Sequence, residues 1–77
     1  MNDTKRVLVP LAEGFEEIEA VAIIDVLRRA EVLVVVAGLT GKRVLGAHGI
    51  AVEADALLAE VDATSFDMLV LPGGMPG

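Results

Sequence analysis

The sequence predicts a doubly wound α/β domain with a mostly parallel sheet, of which this chain supplies the N-terminal part. Three observations point there. Apolar runs at residues 7–9, 32–39 and 68–71 alternate with helical patterning, the order that right-handed crossovers between parallel strands produce. The composition is 55% hydrophobic but only 3% aromatic, with a mean hydropathy of +0.68, which suits Val-, Ile- and Leu-rich strands covered on both faces. Finally, 77 residues are too few to supply such strands and also the layers that cover them. The rest of the domain is therefore expected from a second chain or a further segment, and the 77 residues alone are expected to fold poorly.

The first strand, at residues 7–9, follows a charged N-terminus and is expected to end at Pro10, which lacks a backbone donor. Residues 11–14 make a strand-to-helix turn. A helix is predicted over 15–30, with Glu16, Glu17 and Glu19 at its start and Arg28 and Arg29 at its end, both placements favoured by the helix dipole. Asp25 and Arg29, four apart, can pair on its surface. Two apolar stripes run along this helix: Ala20, Ile23, Ile24, Leu27 and Ala30, and then Ile18, Val21, Ala22 and Val26. One stripe suffices for a helix lying on a sheet. The second either meets another surface, such as a second subunit, or is tolerated in water.

The β-branched run at 32–39 is a buried strand, separated from the helix by Glu31 alone, where glycine is the usual terminator. Glycines at 38, 41, 46 and 49 punctuate a polar stretch, read as short strands around 43–46 and 50–53. A single helical turn is expected at 56–61, then a buried strand at 68–71 and a glycine-rich loop at 72–77. Ligands of such sheets bind beyond the carboxyl ends of the strands, which makes the loops at 11–15 and 72–77 the candidate site loops.

Composition narrows the function. The net charge of −6 argues against nucleic acid as the main partner, since phosphate binding needs a basic footprint. No apolar run is long enough for a membrane span and no signal peptide is recognised, so a cytoplasmic protein is expected. With no cysteine, thiol chemistry and cysteine-based metal sites are closed to these residues. His48 is the single histidine, read as a surface residue, and carboxylate spacing suggests no metal site. The glycine loop fits neither the dinucleotide nor the P-loop pattern, so no cofactor is expected.

Glu16 and Glu19 share a helix face, and Glu17 is expected to point elsewhere. One of the three glutamates could project into a pocket, where desolvation would raise its pKa and fit it for acid/base work; the alternative is that all three merely serve the dipole. Pro72, Gly73 and Gly74 directly follow a strand, so their loop is either an ordinary turn or a set of N–H donors for an oxyanion.

The run from Leu8 through Pro10, Gly14, Glu16, Glu17 and Glu19 to Ala20 resembles the opening of the DJ-1/PfpI (ThiJ) family. The likeness continues at residues 25–30 and 35–39 and returns at 67–74, in order and at consistent spacing. The resemblance implies a flavodoxin-like three-layer sandwich, a homodimer, and a reactive cysteine beyond the Pro-Gly-Gly loop. By motif position, Glu19 matches the glutamate that bonds the cysteine sulfur. Gly73 and Gly74 match the loop whose N–H groups face the reacting carbonyl. Glu16, Arg29 and His48 match positions near the dimer contact, His48 standing where some relatives carry an arginine that lines the site entrance. Glu31 departs from a common glycine. The implied activity is that of a cofactor-independent glyoxalase or protein deglycase acting on a small carbonyl such as methylglyoxal, or on early glycation adducts. The alternative is a non-catalytic, redox-responsive chaperone or stress-response protein.

Overall fold

A computed structural model describes residues 4–74. Strand β1 (Arg6–Leu11) leads to helix α1 (Glu17–Arg29) and strand β2 (Leu33–Gly38). An antiparallel ribbon of β3 (Arg43–Leu45) and β4 (Ala51–Glu53) follows. Then come β5 (Ala56–Leu57), two short 3₁₀ turns, and β6 (Met68–Leu69). The main sheet has the order β5-β2-β1-β6, every pair parallel, as the α/β reading requires.

The period of two along β1 and β2 builds the core. Val7 pairs with Val34 and Val9 with Val36, and these residues join Leu11, Phe15 and Ala20 under α1. Val44 and Ala54, from the ribbon region, close the same cluster. The shortness of the chain predicts incomplete cover for each of the apolar runs 7–9, 32–39 and 68–71, yet Leu8, on the opposite face of β1, is also buried, so β1 is covered. The shortage of cover falls on β6. Met68, Leu69 and Leu71 are 58%, 55% and 69% exposed, not buried, with β6 at the edge of the sheet and paired on one side only, to β1.

Pro10 lies inside β1 rather than ending it, and the hydrogen-bond pattern explains why. The carbonyls of Lys5 and Leu11 accept from Leu33 and Leu39, on the β2 side. Those of Arg6 and Leu8 accept from Asp67 and Val70, on the β6 side. Pro10 belongs to the second alternation, past the end of the β6 pairing, so its missing N–H costs no ladder bond.

Helix α1 begins two residues later than expected, because Phe15 bridges Gly74 and Glu16, the N-cap residue, is extended. Asp25 and Arg29 pair at 3.0 Å, as anticipated. The first apolar stripe packs inward through Ala20, Ile24 and Leu27. The second faces outward, with Ile18 85%, Val21 51% and Val26 61% exposed. The helix ends in a Schellman arrangement, in which Val32 N–H bonds Leu27 C=O and Glu31 N–H bonds Arg28 C=O, each at 3.0 Å. Glu31 holds the left-handed conformation there, at φ 66°. The predicted helical turn at 56–61 is half right: residues 56 and 57 pair with β2 as β5, and Leu58–Glu60 forms the turn.

Candidate functional site

Beyond the carboxyl end of β1 lies an open cleft of about 190 Å³. Ala12, Glu13, Gly14 and Phe15 form one wall and Leu71, Pro72, Gly73 and Gly74 the other, with Pro10 and Leu39 at the base. Both loops picked from the sequence therefore line one cavity; residues 75–77 of the second lie outside the described residues. The walls are tied together by backbone bonds, since Glu16 N–H donates to Gly73 C=O at 2.9 Å and Phe15 bridges Gly74. Gly14 adopts φ 88°, which lets the chain leave β1 and turn into α1.

Glu19 projects from the first turn of α1 to the second wall, where its Oε1 accepts the Gly73 N–H. The approach is so close that a Cβ at position 73 would overlap the Glu19 carboxylate. Two of the sequence-selected groups thus meet. In this arrangement the Gly73 N–H is engaged by Glu19 and does not point at an incoming oxygen.

The glutamate expected to point elsewhere has the most buried carboxylate. Glu17 is 4% exposed and reaches sideways into the turn between β3 and β4. Its Oε2 accepts the N–H groups of His48 at 2.6 Å and Ile50 at 3.2 Å, and its Oε1 lies 2.9 Å from His48 Nδ1. Burial pushes the Glu17 pKa up, but the bonds from the His48 ring and from backbone N–H groups outweigh it, leaving the group at about 2. The raised-pKa reading therefore fails for Glu17: donors surround the charged form. His48 is raised above its usual 6.5 by its bond to Glu17 and by the charges of Glu17 and Glu16. Its side chain is 70% exposed, as expected of a surface residue, yet it is partnered.

Of the three positions assigned to a dimer contact, Glu16 and His48 come together. Arg29 lies at the far end of α1, roughly 20 Å away along the helix axis. Glu16, Glu17 and His48 place one ligand-type atom each within 4.8 Å of one another, a grouping that carboxylate spacing did not reveal. Both Glu17 oxygens already accept N–H donors, so the trio is a hydrogen-bond network rather than an open ligand set.

Sequence reasoning also missed Asp55. Its Oδ2 accepts Val36 N–H at 2.8 Å and Arg28 at 3.2 Å, tying α1 to the edge of β2. The only available signal was an acid just before a short strand.

A parallel sheet, a crossover helix and a glycine-lined cleft beyond the strand ends define an α/β protein of flavodoxin-like architecture. Residues 5–77 match the profile of the DJ-1/PfpI family, and the chain belongs to that family. It is 51% identical over 75 residues to protein DJ-1 homolog B of Arabidopsis thaliana, covering 96% of this chain and 17% of that protein. It is 38% identical over 69 residues to a deglycase of Thermococcus kodakarensis, covering 90% of this chain and 42% of the relative. The oxidized DJ-1 of Toxoplasma gondii superposes with a TM-score of 0.90 at 48% identity, over 96% of this chain and 41% of that one. The chain thus spans less than half the length of the relatives it matches. Among the described residues, no helix is long and apolar enough to cross a membrane.

Proposed function

We propose that these residues supply the acid/base and oxyanion half of a small-carbonyl site, and that a cysteine beyond this chain supplies the nucleophile. The observation that carries the reading is the bond from Gly73 N–H, in the wall of the cleft beyond β1, to the Glu19 carboxylate behind that wall. Similarity to a deglycase supports the substrate class. In the completed protein the thiolate adds to the aldehyde carbon of methylglyoxal, and the carbonyl electron pair moves to oxygen. Glu19 then carries the proton from the aldehyde carbon to the neighbouring carbon. Water hydrolyses the resulting thioester, releasing lactate and the thiol. For Gly73 N–H to serve the oxyanion, the Glu19 carboxylate must first turn from it toward substrate.

The test is methylglyoxal turnover by the full-length protein and its Glu19→Gln variant. A kcat reduced by about 100-fold or more is expected for loss of a proton-transfer group; unchanged turnover sinks the assignment. The exposed stripe of Ile18, Val21, Ala22 and Val26 supports a homodimer that covers it. The same apolar face favours a second reading, a chaperone that holds clients there. Failure to suppress aggregation of a heat-denatured client would remove that reading.

A further inference from the structure

We propose that Glu17 is a positioning residue, whose buried carboxylate anchors the β3–β4 turn to the start of α1 and thereby holds the first wall of the cleft in place. The inference rests on the small-carbonyl reading for its link to turnover, but the anchor itself stands on geometry.

The carboxylate binds two backbone N–H groups of the turn and the His48 ring. The turn is in turn stitched to the cleft wall. Gly14 N–H donates to Leu45 C=O, and Ala47 N–H donates to Phe15 C=O, each at 2.8 Å. Leu45 N–H also donates to the Glu13 carboxylate at 3.2 Å. Glu13, Gly14 and Phe15 all line the cleft, whereas Glu17 does not. Displacing the turn would therefore move the wall without removing any group from the cleft. The fit is close: a Cβ at Gly46 would overlap the Glu17 carboxylate. A glycine at 46 is what allows the turn to lie against it.

The proton on His48 adjusts the grip. The charged groups facing its ring are Glu17 and Glu16, both from the start of α1. A protonated ring donates from Nδ1 to a carboxylate with full charge assistance. The neutral ring keeps the bond only in the tautomer protonated at Nδ1, and without the charge. Replacing the carboxylate by an amide reverses the preference. In Glu17→Gln the carbonyl oxygen can still accept the two backbone N–H groups, while the NH₂ group donates to the bare Nδ1 of a neutral imidazole. A protonated ring would face that NH₂ with no acceptor.

The experiment follows amide hydrogen exchange at His48 and Ile50 in the full-length protein between pH 5 and 9, corrected for intrinsic exchange, together with the pH profile of methylglyoxal turnover. In wild type, protection at both amides should fall as His48 loses its proton; in Glu17→Gln it should rise. His48→Gln, altered at an exposed side chain, should show no pH step. Glu17→Ala should lose protection at every pH and lower kcat by about tenfold, the scale expected when catalytic groups are slightly misplaced. Matching pH trends in wild type and Glu17→Gln, or full protection in Glu17→Ala, would overturn the anchor. Should wild type not turn over methylglyoxal, the small-carbonyl reading fails while the exchange data still decide on Glu17. Loss of protection in Glu17→Ala with unchanged kcat would overturn the link to the cleft.

Discussion

Glu31→Gly should stabilise the protein, and the amount can be worked from the end of α1. Glu31 occupies φ 66° inside a Schellman arrangement that needs a left-handed residue. An L-residue with a side chain pays about 1–2 kcal/mol for that conformation. Glycine removes this cost but returns about 0.5–1 kcal/mol through the greater freedom of its unfolded chain. Removing a negative charge from a helix C-terminus adds a few tenths of a kcal/mol, of the order of 0.3 at an exposed position. The net gain is about 1 kcal/mol. In urea, with a slope near 2 kcal/mol per molar, the midpoint should rise by roughly 0.5 M at an unchanged slope. Glu31→Lys separates the two contributions, since it keeps the backbone cost and reverses the charge. It should gain only the electrostatic part. A midpoint for Glu31→Gly equal to or below wild type, at equal slope, would refute the reasoning.

Two further outcomes follow from the same structure. Glu17 has a depressed folded pKa, so its contribution to stability is present above its ordinary value of 4.5 and is lost as pH falls through about 2. His48 has a raised one, so its contribution is complete below 6.5 and is lost as pH rises through the folded value. The pair should therefore stabilise most between pH 4.5 and 6.5. Thermal midpoints from pH 5 to 9 should fall more steeply in wild type than in His48→Gln, and parallel curves would count against the pair. Gly38→Ala should lower the urea midpoint by the equivalent of about 3 kcal/mol, the upper end for overpacking, because its Cβ would overlap the Gly41 carbonyl. Backbone cannot swing aside as a side chain can. An unchanged midpoint would show that the turn at 39–42 yields freely.

The strands and the first helix were legible because burial imposes a period on the sequence. Val7, Val9, Val34 and Val36 alternate into one core, and the stripe through Ala20, Ile24 and Leu27 has helical spacing. The two-glycine loop after an apolar strand and the loop after β1 were legible as cleft walls for a topological reason, namely that parallel strands deliver their loops to one edge. Pro10 misled because its cost depends on which neighbour its missing N–H would have faced, a matter of register. Too little cover was expected for all three apolar strands, and that β6 rather than β1 would go short was not legible, because an apolar run does not say whether its cover lies in the same chain.

The roles of the three glutamates were illegible for a different reason. Residues 16, 17 and 19 occupy one turn of chain and suit the helix dipole equally, so local chemistry cannot rank them. Their fates are decided by backbone that arrives from elsewhere. Glu19 meets an N–H from residue 73 and Glu17 meets two from residues 48 and 50. In each case glycine makes the meeting possible, at 73 for Glu19 and at 46 for Glu17, since a Cβ at either position would occupy the space of the carboxylate. A carboxylate and a distant glycine therefore form one unit in this fold, and neither is informative alone. The same logic separates the two acids by task. Glu17 is saturated by donors and holds its charge down to about pH 2, which suits an anchor. Glu19 is exposed, with a single N–H from the cleft wall at its Oε1, which is the latitude that the proposed acid/base role requires.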